Sequence, residues 1–342
     1  MGPIRNKSHN EMMNILANFA MNSLGFPVGE IYVVTPTTGN SREYWRARIN
    51  ESRLFTNIQN AYDATVTARN DVILVAPENN TWVGDAGDAT ATLTWSKQNV
   101  HMLGMSPTNK GGYGRARFSH SSTMVNMLTV SGSGNMFKNI RLMHGSASAG
   151  DITTLTVSGA GNAFENFAVA SPINGTQSAS ANFLGTSLSG TQNSFLNCTF
   201  GTANDIDRST ASCMLNIVDP CGGWNVFENC IWRSRSGGGQ ATAYFINCKD
   251  AGTVVDYPAI FLNCQFLHQG TTLTLAILKA DNTARRLYFD ARCTFAGVTD
   301  IIASAQEAQV YWGGSGAPAI LTYNTAGDRT GMGLAATLDY AT

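Results

Sequence analysis

Two rhythms of apolar residues divide the chain. Near the amino terminus they recur every three or four positions, as on one side of a helix; from about Val72, short β-branched runs alternate by two between Gly, Ser and Asn. The first helical stretch opens on Ser8-His9-Asn10-Glu11, a capping box, and runs from about Asn10 to Leu24, where Gly25 and Pro27 stop it. Met12, Met13, Ile15, Leu16, Phe19, Ala20 and Leu24 cover more than one of its faces, so it must dock, either on its own chain or on a partner subunit. Ile31 to Thr35 reads as a strand and Pro36 to Ser41 as a flexible loop. A second helix is expected over 54–68, with Leu54, Ile58, Ala61 and Thr65 in one stripe and Phe55, Tyr62 and Val66 in another, leading into the strand Val72–Val75.

The alternating region repeats itself. Phe-x-Asn occurs at Phe137 and Asn139, Phe164 and Asn166, Phe195 and Asn197, Phe227 and Asn229, and Phe261 and Asn263, with successive anchors 27, 31, 32 and 34 residues apart. A weaker sixth copy at Phe289 lacks the Asn, and the pattern fades there. Leu128-Thr129-Val130-Ser131-Gly132 before the first anchor returns as Leu155-Thr156-Val157-Ser158-Gly159 before the second, and a short apolar strand follows each anchor. Asn99-Val100-His101-Met102-Leu103-Gly104 reads as an earlier copy without its Phe. Such periods mark a solenoid, and alternation by two excludes the helical kinds. Phe245-Ile246-Asn247-Cys248 falls between two anchors; either the coils there are short or this copy sits on a second turn of one coil.

If each repeat is one coil, equivalent residues stack at the strand spacing of ~4.8 Å, with Phe on Phe, Asn on Asn and Cys on Cys. Each buried Phe then contributes about 1.5–3 kcal/mol of transfer free energy. Stacked Asn amides pair with one another, which avoids the ~1–3 kcal/mol cost of an unmet buried polar group. These residues therefore read as a structural ladder.

Composition narrows the functional classes. Charged residues are 13% of the 342, and the net charge is −1, with no cluster of Lys and Arg for nucleic acid or an anionic membrane. No signal-peptide core and no run long enough to span a bilayer is visible, so a product made in the cytoplasm is expected. The seven cysteines, Cys198, Cys213, Cys221, Cys230, Cys248, Cys264 and Cys293, lack metal-ligand spacing and read as reduced, buried thiols. No cofactor and no metal are expected. The five histidines read as structural or surface residues, and the glycine runs Gly237–Gly239 and Gly313–Gly316 lack the context of a phosphate loop.

The helix over 54–68, the strand and turn Asp71 to Pro77, the segment Lys97 to Gly104 and the Phe-x-Asn coils resemble the pectin-lyase-like superfamily, and within it the β-helical virion proteins of tailed bacteriophages. The resemblance covers roughly residues 50–310 and departs from the family at Pro77-Glu78, where Pro-Gly is frequent. It implies an all-β fold: a right-handed, single-stranded parallel β-helix with short amino-terminal helices and an extended carboxy-terminal tail. The expected division is an arm over 1–49 that anchors or caps, the β-helix over 50–309, and a strand and tail over 310–342.

Members of this superfamily that cleave polysaccharide carry paired carboxylates, or calcium-binding Asp beside an Arg base. Asp205, Asp207 and Arg208 are the candidates here, with Asp219, Asp250 and Asp256 behind them; the polygalacturonase segments Asn-Thr-Asp, Asp-Asp and Gly-His-Gly are missing. The resemblance thus implies a structural protein of a phage particle, a capsid decoration, cement or tail component. Its partners would be copies of itself and other virion proteins, with Met12, Ile15, Leu16, Phe19 and Leu24 as the assembly anchor. The alternative is a tailspike-like enzyme that binds and cuts host surface polysaccharide.

Overall fold

The computed structural model describes residues 9–36, 40–76, 92–106, 116–120, 126–144, 153–170, 184–201, 213–218, 223–236, 244–248, 258–270, 273–278, 287–302, 310–313 and 319–321. Among them the chain winds through three parallel sheets of eleven, eight and seven strands, with a two-stranded parallel pair, Leu273–Leu275 and Val298–Asp300, beside them. One coil shows the plan. Met136–Lys138 lies in the first sheet, Ile140–His144 in the second and Thr153–Val157 in the third, after which a tight turn returns the chain to Ala163–Glu165 in the first.

Register stacks like on like. Phe137, Phe164, Phe195, Phe227, Phe261 and Phe289 occupy one column of the first sheet. Their rings are nearly parallel and stacked, with centroids 4.5–5.0 Å apart. Offset stacking of this kind adds to the burial of each ring. Phe200, Trp232, Phe266 and Phe295 form a second inward stack from the second sheet. The repeat at Phe289 fades in spelling only: that ring is fully buried against Phe261, Phe295 and Trp312.

Each coil turns on asparagine for two different reasons. Between the first and second sheets a single Asn bends the chain with positive φ: Asn139 at 58°, Asn166 at 49°, Asn197 at 54°, Asn229 at 54° and Asn263 at 51°. Asn tolerates this left-handed region better than other residues with a Cβ. Asn166 Nδ2 donates to Asn139 Oδ1 and Asn263 Nδ2 to Asn229 Oδ1. At the opposite corner a second column, Asn135, Asn162, Asn193 and Asn225, is wholly buried. Each side chain there accepts a backbone N–H from the preceding coil. Beside it, a Cβ on Gly159 would sit 1.9 Å from Gly132 O, and one on Gly190 2.0 Å from Gly159 O, so the stacked Ser-Gly turns admit no side chain there.

Several sequence expectations are corrected. Val100–Gly104 belongs to the first sheet with Met102 against Phe137, so Asn99 sits at the corner of Gly134 rather than in the Phe-x-Asn column. The coils between Met136 and Phe227 have two left-handed corners each, and the letter Asn does not say which. The helix expected over 54–68 is a short strand, Leu54–Phe55, followed by a helix of only six residues, Ile58–Asp63. Its start is capped by Asn57, and it ends where Lys97 Nζ donates to the carbonyls of Tyr62, Asp63 and Thr65. Part of the expected loop at 36–41 begins a helix, Asn40–Arg46. Phe245 lies in the third sheet, with Cys213–Ile217 as neighbour, which places that motif on a second turn of the same coil. Val310–Gly313 and Ala319–Leu321 continue the first and second sheets, so coiling extends past residue 309.

The amino-terminal arm is part of the solenoid. Ile31–Val34 inserts between Leu54–Phe55 and Asp71–Val75 in the first sheet. The helix His9–Leu24, called α1 below, lies on the outer side of that sheet. Met12, Leu16, Ala20 and Leu24 pack there against Ile31, Val33, Val72, Leu74 and Leu103. The element that enters the main core at the amino-terminal end is Ile58–Asp63, through Ile58, Ala61 and Tyr62 beside Trp95. Thus α1 flanks the coils and does not cap them.

Candidate functional site

Connector length varies around the coil, and most of the long connectors lead into the third sheet. Between Lys138 and Gln265 the passage from first to second sheet takes one or two residues, against three after Asp290 and eleven after Gly104, and the return from third to first takes five residues after Val157 and Leu188 but eight after Ile217 and eleven after Asn247. The passage from second to third sheet takes eight residues after His144, thirteen after Ala170, twelve after Phe200 and seven after Ser236. Extra chain is tolerated where it does not break the stack, and such surface connectors are where sites are built. They border the leading edge of the third sheet.

The outward column of that sheet is polar and uncharged. Thr94, Thr129, Thr156, Ser187, Asn216 and Asn247 stand in register on successive strands. Their flanking neighbours, such as Leu128 and Val130 or Leu215 and Ile217, point into the core. At ~4.8 Å per strand the column presents hydroxyl and amide groups over a distance of roughly 24 Å. One member is unusual: Asn216 is only 7% exposed, and its Oδ1 has no hydrogen-bond partner among the described residues.

Asp205, Asp207 and Arg208 lie outside the described residues, as do Asp219, Asp250 and Asp256. Asp205 to Arg208 belong to the connector that leads from Thr199–Phe200 into Cys213–Ile217, the strand that carries Asn216. Among the described residues no three of His, Cys, Asp and Glu converge. The first sheet carries Glu165, Glu228 and Asp290 outward, and two of them are engaged. Glu165 pairs with Lys138 at 2.8 Å, while Asp290 accepts from Asn263 N and pairs with Arg292. Burial raises the Asp290 carboxyl, but those donors outweigh it and hold the group below the usual range.

A cluster of perturbed charges sits at the amino-terminal end and is fully used. Asp71, wholly buried, accepts from Glu30 N and Arg69 Nε on one oxygen and from Val66 N and Arg69 Nη2 on the other, all at 2.7–2.8 Å. Burial pushes this carboxyl up, and the Arg69 guanidinium and the two amides pull it further down. With four donors on two oxygens it fastens Ile31–Val34 to Asp71–Val75 and has no lone pair poised for chemistry. His101 is buried, accepts from Met136 N through Nδ1, and burial lowers it to about 4.

The cysteines line the core. Cys198, Cys230, Cys264 and Cys293 are buried free thiols whose Sγ atoms donate to the carbonyls of Phe164, Phe195, Phe227 and Phe261. Burial pushes Cys230 well above its ordinary value, so it is not a nucleophile. Of the expected anchor, Met12, Leu16 and Leu24 are buried on the chain's own first sheet, and Ile15 and Phe19 face outward. Sequence reasoning missed the polar column of the third sheet and the buried Asn135 column. The middle Thr of Leu128-Thr129-Val130 and Leu155-Thr156-Val157 is the signal that marks the first, and Asn-x-Phe-x-Asn marks the second.

No protein-family model and no curated protein matches the sequence. Solved structures match the fold. Pectate lyase Pel9A is 16% identical with a TM-score of 0.55, over 80% of this chain and 65% of that one. A pectin methylesterase in complex with a hexasaccharide is 12% identical with a TM-score of 0.51, over 79% and 80% of the two chains. A rhamnogalacturonan lyase is 14% identical with a TM-score of 0.51, over 78% and 68%. The chain thus spans less than two thirds of the pectate lyase's length. Its fold resembles that of carbohydrate-active β-helix enzymes, and the chain is a right-handed parallel β-helix of that kind.

Proposed function

We propose that the protein binds an extended stretch of surface polysaccharide along the outer face of its third sheet. The observation that carries this reading is the uncharged column from Thr94 to Asn247, in register on successive strands. Hydroxyl and amide groups both donate and accept, which suits the hydroxyls of a sugar chain. A β-helix presents them at a regular repeat, so several sugar units can be held at once. Cleavage of the bound chain would fall to Asp205 and Asp207, with Arg208 beside them, in the connector next to this face. The test is affinity electrophoresis through gels cast with bacterial capsule or lipopolysaccharide. Migration should be retarded, and Ser187→Arg, which sets a long cation on the face, should remove the retardation. Absence of retardation with every polysaccharide refutes the reading. Release of reducing ends that Asp205→Ala or Asp207→Ala abolishes would make the protein a cleaving enzyme.

A second reading, a non-catalytic capsid decoration, cement or tail component of a bacteriophage particle, draws support from a separate observation. The described carboxylates do not converge, and α1 turns an almost uncharged face outward. Immunogold labelling of particles would decide it; particles that carry no label would remove it.

A further inference from the structure

We infer that Trp224 is a stacking platform for an uncharged sugar ring at the border of the proposed polysaccharide face, an inference that rests on that reading. The residue belongs to a column of left-handed corners where the chain turns into the first sheet. Ala68, Asn99, Gly134, Gly161, Gln192 and Trp224 follow one another there, with φ of 60°, 50°, 69°, 63°, 58° and 54°. Their backbones form one ladder: Asn99 N donates to Ser133 O, Gly134 N to Ala160 O, Gly161 N to Thr191 O and Gln192 N to Gly223 O. Gln192 lies four residues past the third-sheet strand Leu184–Leu188, which puts this corner within ~14 Å of that strand's end.

A large side chain is costly at such a corner. The left-handed region crowds any Cβ against the following carbonyl, and Trp224 is the one aromatic among the described residues with positive φ outside glycine. Burial repays little of this, since Trp224 is 48% exposed. Strain kept without burial points to a surface role. The mount is rigid: Trp224 N donates to Pro258 O at 3.1 Å, and the next residue, Asn225, is wholly buried, with its Nδ2 on Gly190 O and its Oδ1 on Asn193 N. An indole with two side-chain torsions on such a base loses little freedom when it is covered.

The chemistry of the border selects the ligand. A pyranose ring shows hydroxyls at its edge and C–H groups on its faces. The column from Thr94 to Asn247 can bond the edge, while an exposed indole can cover a face. Gln192, exposed one coil away, adds an amide for a hydroxyl of the same sugar. Acidic sugars fit poorly. The column is uncharged, and Glu228, on the strand that follows Trp224, is an exposed carboxylate whose register neighbours are Leu196 and Leu262. The class is therefore a neutral polysaccharide with a bare C–H face on at least one sugar of its repeat.

Two substitutions separate stacking from packing. Trp224→Asn removes the ring and suits the left-handed corner, whereas Trp224→Phe keeps a ring and keeps the strain. The full chain is run by affinity electrophoresis in gels cast with a neutral capsular polysaccharide, a neutral lipopolysaccharide O-chain or a uronate-rich capsule. A neutral gel should retard the wild type; Trp224→Phe should weaken the retardation by no more than about 3-fold, and Trp224→Asn by about 10-fold or more. The thermal midpoint of Trp224→Asn should not fall, so that binding is lost while stability is kept. Retardation of Trp224→Asn equal to that of the wild type, with Ser187→Arg still abolishing it, overturns this inference and leaves the polysaccharide reading intact. So does a midpoint that falls in Trp224→Asn, which would make the ring a packing residue, or retardation by the uronate-rich capsule alone. A wild type that none of the gels retards removes the inference together with the reading beneath it.

Discussion

Asn225 holds the corner of the coil before it: its Oδ1 accepts both the backbone N–H of Asn193, at 2.9 Å, and the Nδ2 of Asn193, at 3.1 Å. Asn193 in turn accepts from Asn162 N and donates to Gly159 O. One side chain therefore serves three coils.

Removing it should cost more than removing an Asn from the opposite corner. Asn193→Ala leaves a buried amide and a buried carbonyl unmet, an expected loss of about 2–4 kcal/mol. Asn229→Ala keeps its backbone bonds and forfeits the ~1–2 kcal/mol of left-handed tolerance, which Asn229→Gly should restore, together with the partly buried bond from Asn263 Nδ2, which neither variant keeps. Urea unfolding of the three variants checks the order. An Asn193→Ala variant as stable as the wild type would show that the buried column is dispensable.

The core prediction concerns the last ring of the stack. Phe289 is as buried as Phe227 and is stacked on Phe261 at 4.7 Å, so Phe289→Ala and Phe227→Ala should each cost about 3–5 kcal/mol. A loss under ~1 kcal/mol at Phe289 alone would mean that the terminal coils are already open under the conditions of the melt.

Thr186 faces inward between Leu155 and Leu215, and its Oγ1 has no hydrogen-bond partner among the described residues. Thr186→Val replaces that hydroxyl with a methyl of similar size. Stability should rise by about 1 kcal/mol, since the burial penalty of an unmet hydroxyl is removed. A lower thermal midpoint in the variant would count against this account.

His101 should make the protein acid-sensitive. Its folded-state value of about 4 lies below the ordinary 6.5, so below pH 6.5 the unfolded chain takes up a proton that the folded chain refuses. Stability should fall as pH drops from 6.5 to about 4 and level off below, by on the order of 3 kcal/mol in all. His101→Asn, which keeps an acceptor for Met136 N, should flatten the pH profile in that window. A variant profile parallel to the wild type would assign the acid loss to other groups.

The coil itself was legible in the sequence because a parallel stack repeats its environment: each turn needs the same Phe inside and the same residue at a left-handed corner, and Phe137 to Phe261 spell that out. Where two environments share a letter, the spelling is ambiguous. Asn99 and Asn139 occupy different corners, and Phe245 sits on another sheet than Phe227, because Asn suits any left-handed bend and Phe any inward position. Helix length at 54–68 was also beyond reach, since Lys97, more than thirty residues away, helps to end it through three carbonyls. The polar column of the third sheet depends on tertiary structure in the same way. Its members from Thr94 to Asn247 are scattered over some 150 residues of sequence, and only winding the connectors brings them onto one face.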